Sequence, residues 1–162
     1  VMGYAYTCPD MIGGGEYQSF LKASTMDEEL VVRSAQVHAL MPMMQFSVAP
    51  WRILSEENQA ICLEMADLHE KMGPKILELA KHASKTGEPI VKPMALAFPE
   101  NSYETIKDQF MLGDDILVAP VVEKGVRSRT VVFPEGKWEG DDGSIVTGNK
   151  SVEIQDPLER LH

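Results

Sequence analysis

The sequence predicts two kinds of structure joined end to end: an α/β unit over residues 1–88 and a β unit over residues 89–162. Three observations carry this expectation. Residues 25–42 and 55–87 place apolar side chains at helical intervals. A short apolar segment precedes each of these stretches, at 3–8 and 43–48, so that strand and helix alternate. After Pro89 the text changes to short β-branched runs separated by turns rich in Gly, Pro and Asp.

Gly3-Tyr4-Ala5-Tyr6-Thr7-Cys8 is aromatic and β-branched and predicts a strand. It runs into Pro9-Asp10-Met11-Ile12-Gly13-Gly14-Gly15. A carboxylate at a strand end followed by glycines suits a ligand site, because glycine lets backbone approach closely. The same residues also suit a plain Gly-rich turn with Asp10 capping it. Thr25 then predicts a helix cap, with Glu28 at capping-box spacing and Asp27, Glu28 and Glu29 at the positive end of the dipole. Leu30, Ser34, Val37 and Met41 fall at helical intervals, with Val31, Ala35 and His38 beside them, and Pro42 ends the helix. His38 stands by itself on an apolar face and reads as a packing residue.

Met43 to Val48 alternates, which puts Gln45 and Ser47 on one face of a predicted strand that Pro50-Trp51 closes. Ser55 caps a long helix with a stripe of Ile61, Met65, Leu68 and Met72. Pro74 is expected to break or kink it, and Gly87 suits its C-terminus. The uncharged run 116–122 predicts a strand buried on both faces, with a bulge or strand end near Pro120. Residues 129–133 and a segment opening at Trp138 are expected to continue it as a β meander, with a further strand at 151–154.

Composition narrows the functional classes. The chain has 162 residues, 44% hydrophobic and 25% charged, which is an ordinary globular mix. No apolar run reaches the roughly 20 residues of a membrane span, and the opening residues do not read as a secretory leader. A net charge of −10 argues against a nucleic-acid partner, since phosphates need a basic face. Cys8 and Cys62 are too few for a disulfide framework and read as buried thiols. No Cys/His cluster has metal-ligand spacing, and no phosphate loop, GxGxxG or GxSxG pattern occurs, so neither metal nor cofactor is expected.

Three blocks, Pro-Ile-Val-Lys-Pro-Met (89–94), Gln-Phe-Met-Leu-Gly-Asp-Asp-Ile-Leu-Val-Ala-Pro-Val (109–121) and Val-Val-Phe-Pro-Glu-Gly-Lys-Trp (131–138), resemble a junction in glycoside hydrolase family 31. It is where the catalytic barrel passes into the C-terminal β-sandwich. Upstream, Glu29, Leu30, Arg33, Gln36, Ala39 and Pro42 match the family's Glu-Leu-x-x-Arg-Trp-x-Gln-x-Gly-Ala-Phe-x-Pro helix, while Ser34, His38 and Leu40 depart from it. Asp10-Met11-Ile12-Gly13-Gly14 resembles the family's Asp-Ile-Gly-Gly turn with one residue inserted. The text around Gln45 and Trp51 looks most like the myogenesis-regulating, α-galactosidase-like branch.

The resemblance implies that residues 1–88 form the last βα units of a (β/α)8 barrel and residues 89–162 part of the proximal β-sandwich. It also implies a sugar-binding role for Asp10, with Gln45 and Ser47 standing where α-glucosidases carry an Arg and a His, and Trp51 as a wall against the sugar's apolar face. Arg33 and Gln36 read as structural support for the barrel, not as catalytic residues. A complete barrel needs roughly 250 residues, and retaining hydrolysis needs two carboxyl groups about 5–5.5 Å apart. Both catalytic carboxylates are therefore expected upstream of this chain. The expectation is a fragment of a retaining α-glycosidase, truncated at both ends within a fold. By itself it would be inactive, and its partners would be a carbohydrate and the rest of its parent chain or a complementary fragment. The family also implies a secretory or extracellular setting. The rival expectation is a non-catalytic carbohydrate-binding or structural protein on a degenerate glycosidase scaffold.

Overall fold

Acidic side chains start the first helix and help to start the second. In the computed structural model, which describes residues 3–7, 9–13 and 26–159, helix α1 spans Glu28–Ala39. Its cap is Asp27, whose carboxylate accepts from Leu30 N at 3.3 Å. The expected cap, Thr25, lies outside the described residues. Glu28 reaches across instead: its Oε2 accepts from Ser55 N, Ser55 Oγ and Asn58 Nδ2 at 2.9, 2.8 and 2.6 Å. The buried face of α1 is Val31, Val32, Ala35, Gln36 and Ala39. That face is rotated from the predicted stripe, and Leu30 is 64% exposed.

Helix α2, Glu56–Thr86, runs 31 residues through Pro74 without a break. Pro74 and Glu70, whose carbonyl loses its donor, are both exposed, so water can serve the freed oxygen. Ser55 caps the helix as predicted, and Gly87 ends it with φ 78°, its N–H bonded to Ala83 O. Ile61, Cys62 and Met65 are buried against α1, with Leu68 and Met72 partly buried on the same core. Burial pushes the Cys62 thiol up to about 11, so it stays protonated and inert. Cys8 is not among the described residues.

Among the described residues, neither of the two predicted N-terminal strands is formed. Residues 3–7 are held by an Ile90 N to Ala5 O bond of 3.1 Å and by the Tyr6 hydroxyl, which donates to Ala80 O at 3.0 Å. Residues 43–48 reduce to one parallel bridge, Ile12↔Phe46, in which Ile12 N donates to Gln45 O at 2.8 Å and Ser47 N to Ile12 O at 2.9 Å. A strand is a ladder shared with a neighbour, and among the described residues this ladder has a single rung. The alternation survives nonetheless. Met43, Gln45 and Ser47 are exposed, while Met44, Phe46 and Val48 are half-buried.

Strands β1 (Val91–Pro93), β2 (Phe110–Leu112) and β3 (Ile116–Val118) form an antiparallel three-stranded sheet in the order β1-β2-β3. A short helix α3, Met94–Ala97, follows β1. Strand β3 stops at Val118, two residues before Pro120, as a residue lacking N–H requires. Of the run expected to be buried on both faces, Ile116 and Leu117 are half-buried and Val122 is 63% exposed.

The predicted meander across 116–138 does not occur. Strand β4 (Ser128–Phe133) pairs with β7 (Lys150–Gln155), and β5 (Lys137–Glu139) with β6 (Ile145–Thr147), as two stretches of one bent hairpin. The bend lies at 134–136 and 148–149. There Gly148 N donates to Gly136 O at 2.8 Å, and a Cβ on Gly148 would lie 1.6 Å from Pro134 O. Only glycine fits that approach. In place of a β3–β4 ladder, the buried Gln109 side chain imitates a strand. Its Nε2 donates to Val132 O at 3.0 Å and its Oε1 accepts from Val132 N at 2.9 Å.

One core joins the halves, running from Ile12, Val32 and Ala35 through Ile61 and Met65 to Val91, Leu112 and Val118. A buried polar clamp reinforces it. Arg33 Nη1 bonds Asp156 Oδ1 at 3.0 Å and Gln36 Oε1 at 2.9 Å, and Arg33 Nη2 bonds Asp156 O at 2.9 Å. Gln36 Nε2 adds a 2.6 Å bond to Leu158 O. The support expected of Arg33 and Gln36 is therefore directed at the end of β7.

Candidate functional site

The Ile12↔Phe46 bridge decides which candidate residues meet. Ile12 is 1% exposed and anchors the segment 9–13 to the core. Its backbone bonds to residues 45 and 47 tie the segment 9–13, which carries Asp10, to the segment that carries Gln45 and Ser47. Asp10 is exposed, and so are Gln45 and Ser47. Because residues alternate across an extended backbone, burying Phe46 turns Gln45 and Ser47 to the water side together.

The Asp10 turn is held in two ways. Its Oδ1 accepts from the next residue's amide, Met11 N, at 2.8 Å. Its carbonyl oxygen lies 2.6 Å from His38 Nε2. His38 is half-buried, and its other nitrogen, Nδ1, lies 2.6 Å from Ser34 O on its own helix. The reading of His38 as a satisfied packing residue caught the satisfaction and missed the partner. Position 38 carries no sequence signal for a residue 28 positions away.

Trp51 lies on the 3-10 turn Pro50–Arg52 that follows and is 75% exposed. Its ring offers a flat apolar face, and no hydrogen bond among the described residues joins it to Asp10, Gln45 or Ser47. Likewise, neither the Gln45 amide nor the Ser47 hydroxyl bonds another described side chain. Such an edge can exchange hydrogen bonds with a polyol: Asp10 accepts, Ser47 and Gln45 both accept and donate. It holds one carboxylate, where a retaining glycosidase needs two. Glycines 14 and 15 of the turn lie outside the described residues. Among the described residues, no group of three or more His, Cys, Asp or Glu side chains could hold a metal ion. None of the described helices is long and apolar enough to cross a membrane.

A second hollow of about 760 Å³ opens between Leu40 and Leu68 on the helices and Phe133, Trp138 and Ile154 on the hairpin. None of Asp10, Gln45, Ser47 and Trp51 lines it. The other ionisable groups near α1 work in structure. Hydrogen bonds from Lys124 to Asp27, from Asn58 to Glu28 and from Arg127 to Glu29 hold each carboxyl below its ordinary range.

Comparisons with known proteins identify relatives of the chain. The model of the glycosyl hydrolase family 31 C-terminal domain matches residues 87–161. The chain is 40% identical over 152 residues to the myogenesis-regulating glycosidase of Mus musculus, covering 90% of this chain and 21% of that protein. It is 32% identical over 147 residues to the SITS-binding protein of Tetronarce californica, covering 88% and 20%. Among solved structures, a GH31 α-xylosidase from a soil metagenome, complexed with xylose, superposes with a TM-score of 0.77 at 30% identity. That superposition covers 83% of this chain and 24% of the xylosidase. The chain thus spans about a fifth of the length of these curated relatives.

Proposed function

The chain belongs to glycoside hydrolase family 31, and from that premise we propose that it completes the sugar-binding rim and the adjoining β-sandwich of a retaining α-glycosidase. Residues 1–88 supply the last βα units of a (β/α)8 barrel, and residues 89–162 supply part of the proximal sandwich. The observation that carries this reading is the parallel Ile12↔Phe46 bridge. Parallel pairing of two segments that flank a helix is what a βα unit of a barrel requires, and ligands gather at the C-terminal ends of barrel strands. The bridge joins the segment carrying Asp10 to the one carrying Gln45 and Ser47, and all three residues are exposed, which supports a shared role. The family model's start at residue 87 supports the boundary. Leu63 and Leu77 on α2, 63% and 56% exposed, support a covering by further polypeptide.

In this reading Asp10 accepts hydrogen bonds from sugar hydroxyls, Gln45 and Ser47 select among hydroxyl orientations, and Trp51 packs on the apolar face of the ring. The attacking and proton-donating carboxylates come from outside this chain. The 162-residue chain is then inactive on aryl α-galactosides and α-glucosides, and its parent cleaves them with a preference for galactosides. Turnover by the purified chain in the common range of about 1–10³ s⁻¹ rules the reading out. A clear preference of the parent for maltose removes the role given to Gln45 and Ser47.

A second reading, a binding protein on a glycosidase scaffold, draws on the relative named as a SITS-binding protein. Two upstream carboxylates at barrel-strand ends favour the enzyme, and their replacement favours the binder.

A further inference from the structure

We infer that His38 is a positioning residue for the sugar-binding edge, a strut that fixes the Asp10 turn through its backbone; the inference rests on the role proposed for Asp10. The turn is attached to the rest of the fold on at least two sides. On one side Ile12 is bridged to Gln45 and Ser47 through backbone bonds of 2.8 and 2.9 Å. On the other, Asp10 O meets His38 Nε2 at 2.6 Å. His38 belongs to α1, whose buried face and Arg33–Asp156 clamp make it a rigid support. The far nitrogen, Nδ1, lies 2.6 Å from Ser34 O, so the ring sits against its own helix.

A carbonyl oxygen only accepts, so the strut uses the ring form that carries hydrogen on Nε2. By holding the main-chain oxygen, the ring leaves the Asp10 carboxylate to the turn's own Met11 N–H and to a ligand. A carboxylate on an exposed turn loses conformational freedom when it binds a hydroxyl. A turn already held in place loses less. The strut therefore acts on sugar affinity through Asp10, and it touches neither the sugar nor the reacting atoms.

The experiment is a double-mutant cycle in the full-length protein that carries these residues, read on an aryl α-glycoside that the unmodified protein cleaves. His38→Phe is expected to raise KM about tenfold with kcat within about twofold, the signature of lost binding. In the Asp10→Ala background the same change is expected to move KM less than about twofold, because the group it positions is gone. His38→Gln, whose amide can still donate to Asp10 O, is expected to recover part of the loss. The change in Tm should be the same in both backgrounds. Equal KM effects in both backgrounds mean a merely structural histidine and overturn the inference, as does an unchanged KM in His38→Phe. If Asp10→Ala itself leaves KM unchanged, the sugar-binding role of Asp10 falls first and the strut with it. Should His38→Phe fail to fold, His38→Asn replaces it in the cycle with the same expectations.

Discussion

Arg33 and Asp10 show two opposite uses of a charged side chain in one small fold. Arg33 is 6% exposed, and its guanidinium meets Asp156, Gln36 and backbone carbonyls within the chain. Asp10 is exposed, and among the described residues its carboxylate accepts a single hydrogen bond, from the next residue's N–H. Around Arg33 the fold supplies protein partners to both terminal guanidinium nitrogens, though Nε is buried without one among the described residues; around Asp10, Gln45 and Ser47 it has left capacity facing water. The difference separates residues that hold the structure from residues available to a ligand, and conservation is not needed to see it.

The comparison breaks first at the clamp. Asp156→Ala strands a buried guanidinium and is expected to cost about 3–5 kcal/mol, measured by urea denaturation of the protein. A loss below 1 kcal/mol would put Arg33 in the same class as Asp10. Gly148→Ala follows. Its Cβ would sit 1.6 Å from Pro134 O, and the backbone shift is expected to cost about 1–3 kcal/mol. Gln109→Leu should cost a comparable 1–3 kcal/mol or so, because it leaves Val132 N and O without their buried partner. Amide hydrogen exchange at Val132 would report the loss directly.

At the exposed edge the effects reverse. Trp51→Ala is expected to change stability by less than about 0.5 kcal/mol, while weakening sugar binding by the parent in calorimetry. A large melting-point drop with unchanged binding would move Trp51 to the structural class.

The smallest effect concerns pH. The carboxyls of Asp27, Glu28 and Glu29 are held below 3.8, 4.5 and 4.5, their ordinary values. Each therefore adds stability that is complete above those values and is lost as pH falls through the lowered ones. All three are near the surface, so the loss is expected to be small and reduced by salt. Acid titration of Tm at two ionic strengths checks both points.

Much of the helical half was legible in advance. Ser55 and Gly87 act where their chemistry placed them, and Pro120 lies just beyond the end of a strand. The face carrying Gln45 and Ser47 also followed from alternation. The strand partners were not legible. The 116–138 meander was inferred from adjacency, whereas β4 found β7 and Gln109 took the place of a ladder. The stripe on α1 was misjudged by about one position, because a buried Gln36 and Arg33 count as polar in a pattern although the fold treats them as core.

Caps, helix stops and side-chain alternation are settled within a few residues by local sterics and by backbone groups that need a nearby partner, so the chain's own order of residues decided them. Pairing is a different matter. A strand's N–H and C=O groups bond equally well to any neighbouring backbone, so β4 with β7, Ile12 with Phe46 and His38 with Asp10 were decided only when the core closed and brought distant segments to hydrogen-bonding range.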